Sequence, residues 1–303
     1  MDQHLTRVTP GASISRLILN NTPMTPDRRP YLTPLLQAAA VAIVAVLLAG
    51  PAQSADTAAL LDAAINGTHR SDSNRARDTY RHPKETLLFF GLKPDITVVE
   101  ISPSAGWYSE IIAPVLRDRG SYYAASPKLS ERSPESMKQR DASYRQMMSG
   151  KPSLYGTPIM ISYEPSAPEF APKGSADLVL TFRNVHNWAK AGNTAQMFSA
   201  FFDALKKGGV LGVVEHRAAP DTPISGQIAS GYMTEAFVID AATEAGFRLV
   251  AFSDVNNNPR DTKDHPGGVW NLPPNLRDVP EQDRARYLAI GESDRMTLKF
   301  VKP

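Results

Sequence analysis

From Ala55 to the C-terminus, short apolar runs that fit β-strands alternate with longer stretches of helical periodicity, and this alternation constrains the chain more than any other feature. Strand patterns fall at Thr97–Ser102, Tyr122–Ala125, Ile159–Tyr163, Leu178–Phe182, Val210–Glu215, Arg248–Ser253 and Met296–Val301. Helical patterns occupy Thr57–Ile65, Asn74–Phe89, Gly106–Arg117, Ser133–Met148, Thr194–Lys207 and Thr234–Ala245. Such alternation marks a mostly parallel sheet covered on both faces, so the reading is α/β, a doubly wound seven-stranded sheet preceded by N-terminal helices. The stretch Asn256–Asp294 then forms a long insertion before the last strand. An apolar share of 42% is enough to fill one such core.

The first 54 residues read differently and are set apart as an N-terminal extension and signal peptide, leaving 55–303 as the folded domain. Arg28 and Arg29 precede an uncharged run from Leu35 to Gly50, and Ala52 and Ser54 supply the small residues that cleavage before Ala55 requires. The run is shorter than the roughly 20 apolar residues a membrane span needs, so the expectation is export to the periplasm or medium without stable membrane insertion. Arg28-Arg29-Pro30-Tyr31-Leu32 approximates a twin-arginine pattern, but Pro30 and Asp27 fit general secretory export better.

Removing this segment leaves 29 basic and 29 acidic residues. A near-neutral chain with no basic stripe gives nucleic acid little electrostatic purchase, so the expected partner is a small molecule. The absence of cysteine excludes disulfides, thiolate metal sites and a cysteine nucleophile. Neither His-x-His nor His-Glu-x-x-His occurs, and no metal site is expected, although His82, His186, His216 and His265 could in principle converge with Asp261 or Asp264.

Open parallel sheets bind ligands beyond the carboxyl ends of their strands, where strand order reverses, and the first strand, turn and helix belong there. Val98-Val99-Glu100-Ile101-Ser102-Pro103-Ser104-Ala105-Gly106-Trp107 resembles the acidic-x-Gly-x-Gly-x-Gly nucleotide motif of class I S-adenosylmethionine-dependent methyltransferases, with Ser102, Ser104 and Gly106 at the glycine positions. Leu178 to Trp188 resembles the fourth-strand motif of that family, and Leu205-Lys206-Lys207-Gly208-Gly209 resembles its Leu-Lys-Pro-Gly-Gly turn before strand five. With Gly231–Phe247 and Asp294–Pro303, these features are similar to a family of exported methyltransferases over roughly residues 75–303. The resemblance implies an antiparallel last strand, S-adenosylmethionine as cofactor, and Glu100, Ser102, Ser104, Gly106, Trp107, Ser126 and Asn184 as the residues around it. Ser126 or Ala125 stands where the family carries the carboxylate that holds the ribose hydroxyls.

Catalytic candidates follow strands four and five. His186, with Arg183 beside it, and His216 should open onto one cleft, and an imidazole can take a proton from a substrate heteroatom near neutral pH. Tyr80, Arg81, Arg217, Arg260 and Trp270 are the substrate-binding candidates. Methyl transfer to a small acceptor is the expected function. The alternative is a non-catalytic small-ligand-binding protein of the periplasm that keeps the fold.

Overall fold

A computed structural model describes residues 56–303 and the backbone of Arg7–Val8. The rest of the N-terminal segment, including the signal pattern and its cleavage point before Ala55, lies outside the described residues. Among the described residues no helix is long and apolar enough to cross a membrane.

All seven expected strands are present: β1 Thr97–Ile101, β2 Ser121–Pro127, β3 Ile159–Tyr163, β4 Ala176–Phe182, β5 Leu205–His216, β6 Arg248–Ser253 and β7 Arg295–Val301. They form one sheet in the order β3-β2-β1-β4-β5-β7-β6, and Arg7–Val8 pairs in parallel with β6 at its edge. Strands β1 to β5 pair in parallel, whereas β7 runs antiparallel to both β5 and β6. Strand order reverses at β1, which sits between β2 and β4.

Alternation along the strands sends side chains into two layers. Val99, Ile101 and Val179 pack with Met197, Phe198 and Phe201 of α9 (Thr194–Ala204) and Val238 of α11 (Glu235–Glu244). Val98, Leu178 and Leu180 face Leu61 of α1 (56–65), Leu87 and Phe90 of α4 (Pro83–Phe90), and Ile111 and Ile112 of α5 (Ser109–Leu116).

Several boundaries differ from the sequence reading for identifiable reasons. The helix expected over Asn74–Phe89 is three short ones, α2 (Asp72–Arg75), α3 (Asp78–Arg81) and α4. His82, with φ of 41°, breaks the run before Pro83, whose ring disfavours helical geometry in the preceding residue. The helix expected from Gly106 begins at Ser109, after a turn. Lys207-Gly208-Gly209 is not a turn ahead of β5 but an irregularity within it, where pairing to β4 shifts register and Gly208 has φ of 78°. Helix α6 (Glu135–Ser149) matches expectation. By contrast α7 (Pro152–Tyr155), α8 (Val185–Ala191), α10 (Ile224–Ser230) and α12 (Glu281–Ile290) had no clear periodic signal.

The contact between β5 and α4 leaves no room for a side chain at Gly212, where a Cβ would come within 2.7 Å of Leu180 Cδ2 and of the Phe90 ring. Gly212→Val is therefore expected to lose roughly 1–3 kcal/mol through overpacking. Urea denaturation checks this, with a lower midpoint and unchanged slope as the expected result.

Candidate active site

The turn after β1 keeps a glycine-type backbone although two of its three glycine positions carry serine. Ser102 and Ser104 have φ of 52° and 59°, and Gly106 has φ of 82°. A left-handed conformation costs an L-residue about 1–2 kcal/mol, so the surroundings must hold it. The Ser102 N–H donates to the Ala125 carbonyl at 2.7 Å, its Oγ lies 3.1 Å from the Tyr163 hydroxyl, and the Gly106 N–H donates to the Pro103 carbonyl at 2.9 Å. Beneath the turn, buried Glu100 Oε2 accepts from Tyr122 Oη at 2.5 Å and Ser109 Oγ at 2.9 Å. Burial outweighs these bonds and pushes the Glu100 carboxyl up to about 7.

Gly106 is also constrained by helix packing. A Cβ there would meet Met147 Cε at 2.7 Å and the Tyr144 ring at 2.9 Å, both on α6. Its positive φ and this close helix contact demand glycine, and it lines neither cavity of the cleft.

Two cavities meet at the carboxyl ends of the central strands and share Ser102, Ser104, Asn184 and Asn187. The larger, about 510 Å³, runs past the ends of β2 and β3 and is lined by Ser126, Tyr163 and, from α6, Asp141. The smaller, about 220 Å³, is lined by Arg81, Trp107, Arg183, His186, His216 and Trp270. Trp107 thus belongs to the smaller cavity, with its Nε1–H bonded to the Asn74 carbonyl at 3.0 Å, while Tyr108 stacks on Phe182 as core packing. Asn184 is held in place by bonds to the Ile101 carbonyl (3.1 Å) and Thr181 Oγ1 (3.2 Å).

His186 and His216 converge as expected, with ring centroids 5.4 Å apart. They are joined by Glu215, whose position at the buried end of β5 the sequence reading did not single out. Glu215 accepts from the backbone N–H groups of Val185 at 2.5 Å and His216 at 2.8 Å, and its Oε1 lies 3.1 Å from His186 Nδ1. The carboxylate fixes the proton on Nδ1 and leaves Nε2 as the acceptor. His216 Nδ1 pairs with Ser293 Oγ at 2.5 Å. Burial, followed by the charges of His186 and Arg183, holds the His216 imidazole well below the usual histidine range, so it is neutral at pH 7. His186, Glu215 and His216 offer ligand atoms within 4.8 Å of one another, a grouping not anticipated from spacing. The Glu215 oxygens are already engaged by main-chain donors and His186.

The remaining substrate candidates separate. Arg81, buried, and Trp270, edge-on to His186 at 6.1 Å, line the smaller cavity. Arg217 does not: it is a clamp, bonded to both oxygens of Asp294 (3.1 and 2.7 Å), to Glu235 at 3.1 Å and to Asn257. Arg260 is exposed on the insertion and lines neither cavity. Tyr80 packs its ring against Gly291 and gives its carbonyl to Arg295 at 2.6 Å, outside the cavities. The other histidines do not join the cleft: His265 Nε2 lies 2.9 Å from Asp261, and His82 is half-buried at the α3–α4 break. Glu292 and Ser293, where the insertion returns to β7, line the smaller cavity and were not foreseen.

No protein-family model matches the chain, and no curated protein matches it by sequence. Among solved structures it superposes on the [4+2]-cyclase SpnF with a TM-score of 0.53 and 16% identity, over 78% of this chain and 86% of that one. The chain has the class I methyltransferase fold. A methyltransferase from Aquifex aeolicus aligns over 75% of this chain and 93% of its own, with 14% identity and a TM-score of 0.49. One from Mesorhizobium loti aligns over 78% and 99%, with 14% identity and a TM-score of 0.43. The mostly parallel seven-stranded sheet and its antiparallel β7 are those the sequence resemblance implied.

Glu100 gives the site a measurable pH signature. Its folded-state value, about 7, lies above the ordinary 4.5, so its protonated form is favoured by folding and its contribution fades as pH rises from about 4.5 through 7. Glu100→Gln keeps an acceptor for Tyr122 and Ser109 without the titration. The stability difference between wild type and Glu100→Gln is expected to change by about 3 kcal/mol across that window, in favour of the variant at high pH. Chemical denaturation at pH 4.5 and pH 8 checks it, and a pH-independent difference contradicts it.

Proposed function

We propose that the protein transfers a methyl group from S-adenosylmethionine to a small-molecule acceptor, with the cofactor in the larger cavity and the acceptor in the smaller. The observation that carries this reading is the Ser102–Gly106 turn: three alternate residues at positive φ, at the strand-order reversal, beside a cavity that reaches the end of β2. Backbone of this shape lets a nucleoside approach the main chain closely. Ser102, Ser104, Ser126 and Asn184 would hold the cofactor, and Asp141 supplies a carboxylate to the cavity in which Ser126 lacks one. When bound, S-adenosylmethionine supplies an electrophilic methyl group.

The chain's own residues then orient the acceptor and manage its proton. His186 Nε2 takes the proton released as the acceptor heteroatom is methylated, and Glu215 at Nδ1 stabilises the imidazolium. Neutral His216 adds a polar wall without a competing charge. Trp270 and neighbouring residues of the insertion cover the acceptor compartment and limit water access. The same reading takes the chain as exported, on the strength of the sequence over residues 28–54.

Titration calorimetry with S-adenosylmethionine and S-adenosylhomocysteine tests the proposal. Both are expected to bind folded protein, and Ser126→Trp, which fills the larger cavity, is expected to abolish binding without a large loss of melting temperature. No binding of either compound at millimolar concentration removes the methyltransferase reading and leaves a binding protein for some other ligand.

A further inference from the structure

The wall of the smaller cavity holds more positive charge than the protein itself answers. Arg77, Arg81 and Arg295 all bond to one carboxylate, Glu292, at 2.6, 2.9 and 3.0 Å. Arg81 spends only its Nε on that contact, and its two terminal nitrogens are buried without a hydrogen-bond partner. They lie by the Trp107 ring, with the guanidinium carbon 4.6 Å from its centroid. Arg183, at the end of β4, opens on the same cavity, and its guanidinium makes no hydrogen bond or ion pair with any described residue. It is also held at φ of 62°, a conformation that costs energy.

The two terminal nitrogens of Arg81 are fully buried and Arg183 is half-buried, and a guanidinium that loses hydration without gaining a partner is unfavourable. Burial, and then the nearby Arg81, push the Arg183 guanidinium down to about 9. An anion in the cavity would relieve both the desolvation and the repulsion. Trp107 and Trp270 add aromatic faces to a wall that is otherwise largely polar, with Asn184, His186, His216 and Ser293 among its residues.

We propose that the smaller cavity is a carboxylate-recognition site: Arg183, backed by Arg81, takes the carboxylate of a small organic acid whose apolar or aromatic body lies against Trp107 and Trp270. Arginine suits this task because its planar fork can give two parallel hydrogen bonds to one carboxylate. The proposal names the chemical class of the methyl acceptor, and for the word acceptor it rests on the methyl-transfer reading. The anion site itself rests on the arginines.

Calorimetry on the folded chain with benzoate, benzamide and inorganic phosphate, each with and without S-adenosylhomocysteine, separates the possibilities. Benzoate is expected to bind saturably, with benzamide and phosphate weaker by at least about tenfold. Arg183→Met is expected to weaken benzoate by at least about tenfold while leaving the melting temperature unchanged or raised and the S-adenosylhomocysteine titration unchanged. Arg81→Lys keeps a positive charge beside Glu292 but loses the fork, and should weaken benzoate as well. Equal binding of benzoate and benzamide, benzoate binding indifferent to Arg183→Met, or phosphate binding in place of benzoate overturns the proposal. Benzoate binding of the expected pattern without S-adenosylhomocysteine binding keeps the anion site and removes its assignment to an acceptor. S-adenosylhomocysteine binding without benzoate binding removes the anion site and leaves the methyl-transfer reading standing.

Discussion

One carboxylate ties the cleft together. Glu292 stands where the long insertion rejoins β7, and it holds Arg77 and Arg81 from the N-terminal helices and Arg295 from the first position of β7. These four side chains come from segments more than two hundred residues apart in sequence, and their meeting closes one wall of the smaller cavity. The three arginines, with Arg183, hold the Glu292 carboxyl far below the usual carboxylate range despite its burial. The pairing is therefore complete at pH 7 and is lost only in strong acid, as pH falls through that depressed value. Removing one partner from a buried cluster of this kind typically costs 3–5 kcal/mol, because the other charges are left behind. The geometry of Arg81, Ser293 and, through Ser293, His216 depends on it.

A second buried carboxyl governs the other side of the cleft in the opposite way. Glu100 has no cation to answer it, only the hydroxyls of Ser109 and Tyr122, so burial raises its pKa where the arginines lower that of Glu292. It braces the turn whose serines take on the backbone of glycine. The fold alone does not name a reaction, as the superposition on a [4+2]-cyclase illustrates. What distinguishes this chain is the chemistry of its smaller cavity: a Glu215–His186 pair, a neutral His216 and an excess of guanidinium.

The sheet was legible in the sequence because its strands are apolar runs bounded by glycine, proline and polar turns, and the central strands β1 and β4 are buried on both faces. The convergence of His186 and His216 was legible too, since both follow strands expected to be neighbours. Features that depend on contacts across the chain were not. Nothing local marks Glu292 as the partner of Arg77 and Arg81, or Glu215 as the residue behind His186. Arg217 looked like a cleft residue because it follows His216, but strand alternation turns it the other way, toward Asp294 and Glu235. Nor does any local pattern reveal that the open side of Gly106 faces Tyr144 and Met147 on α6.

We propose one cleft with two compartments, a cofactor cavity that runs past the ends of β2 and β3 and an acceptor cavity lined by His186, His216, Arg81 and Arg183. A crystal structure of the complex with S-adenosylhomocysteine tests it most directly. The account predicts the adenosine in the larger cavity, reaching Ser126, with the sulfur near Asn184 where the two cavities join. Adenosine seated against Arg183 and Trp270 instead, or bound away from the Ser102–Gly106 turn, would contradict it.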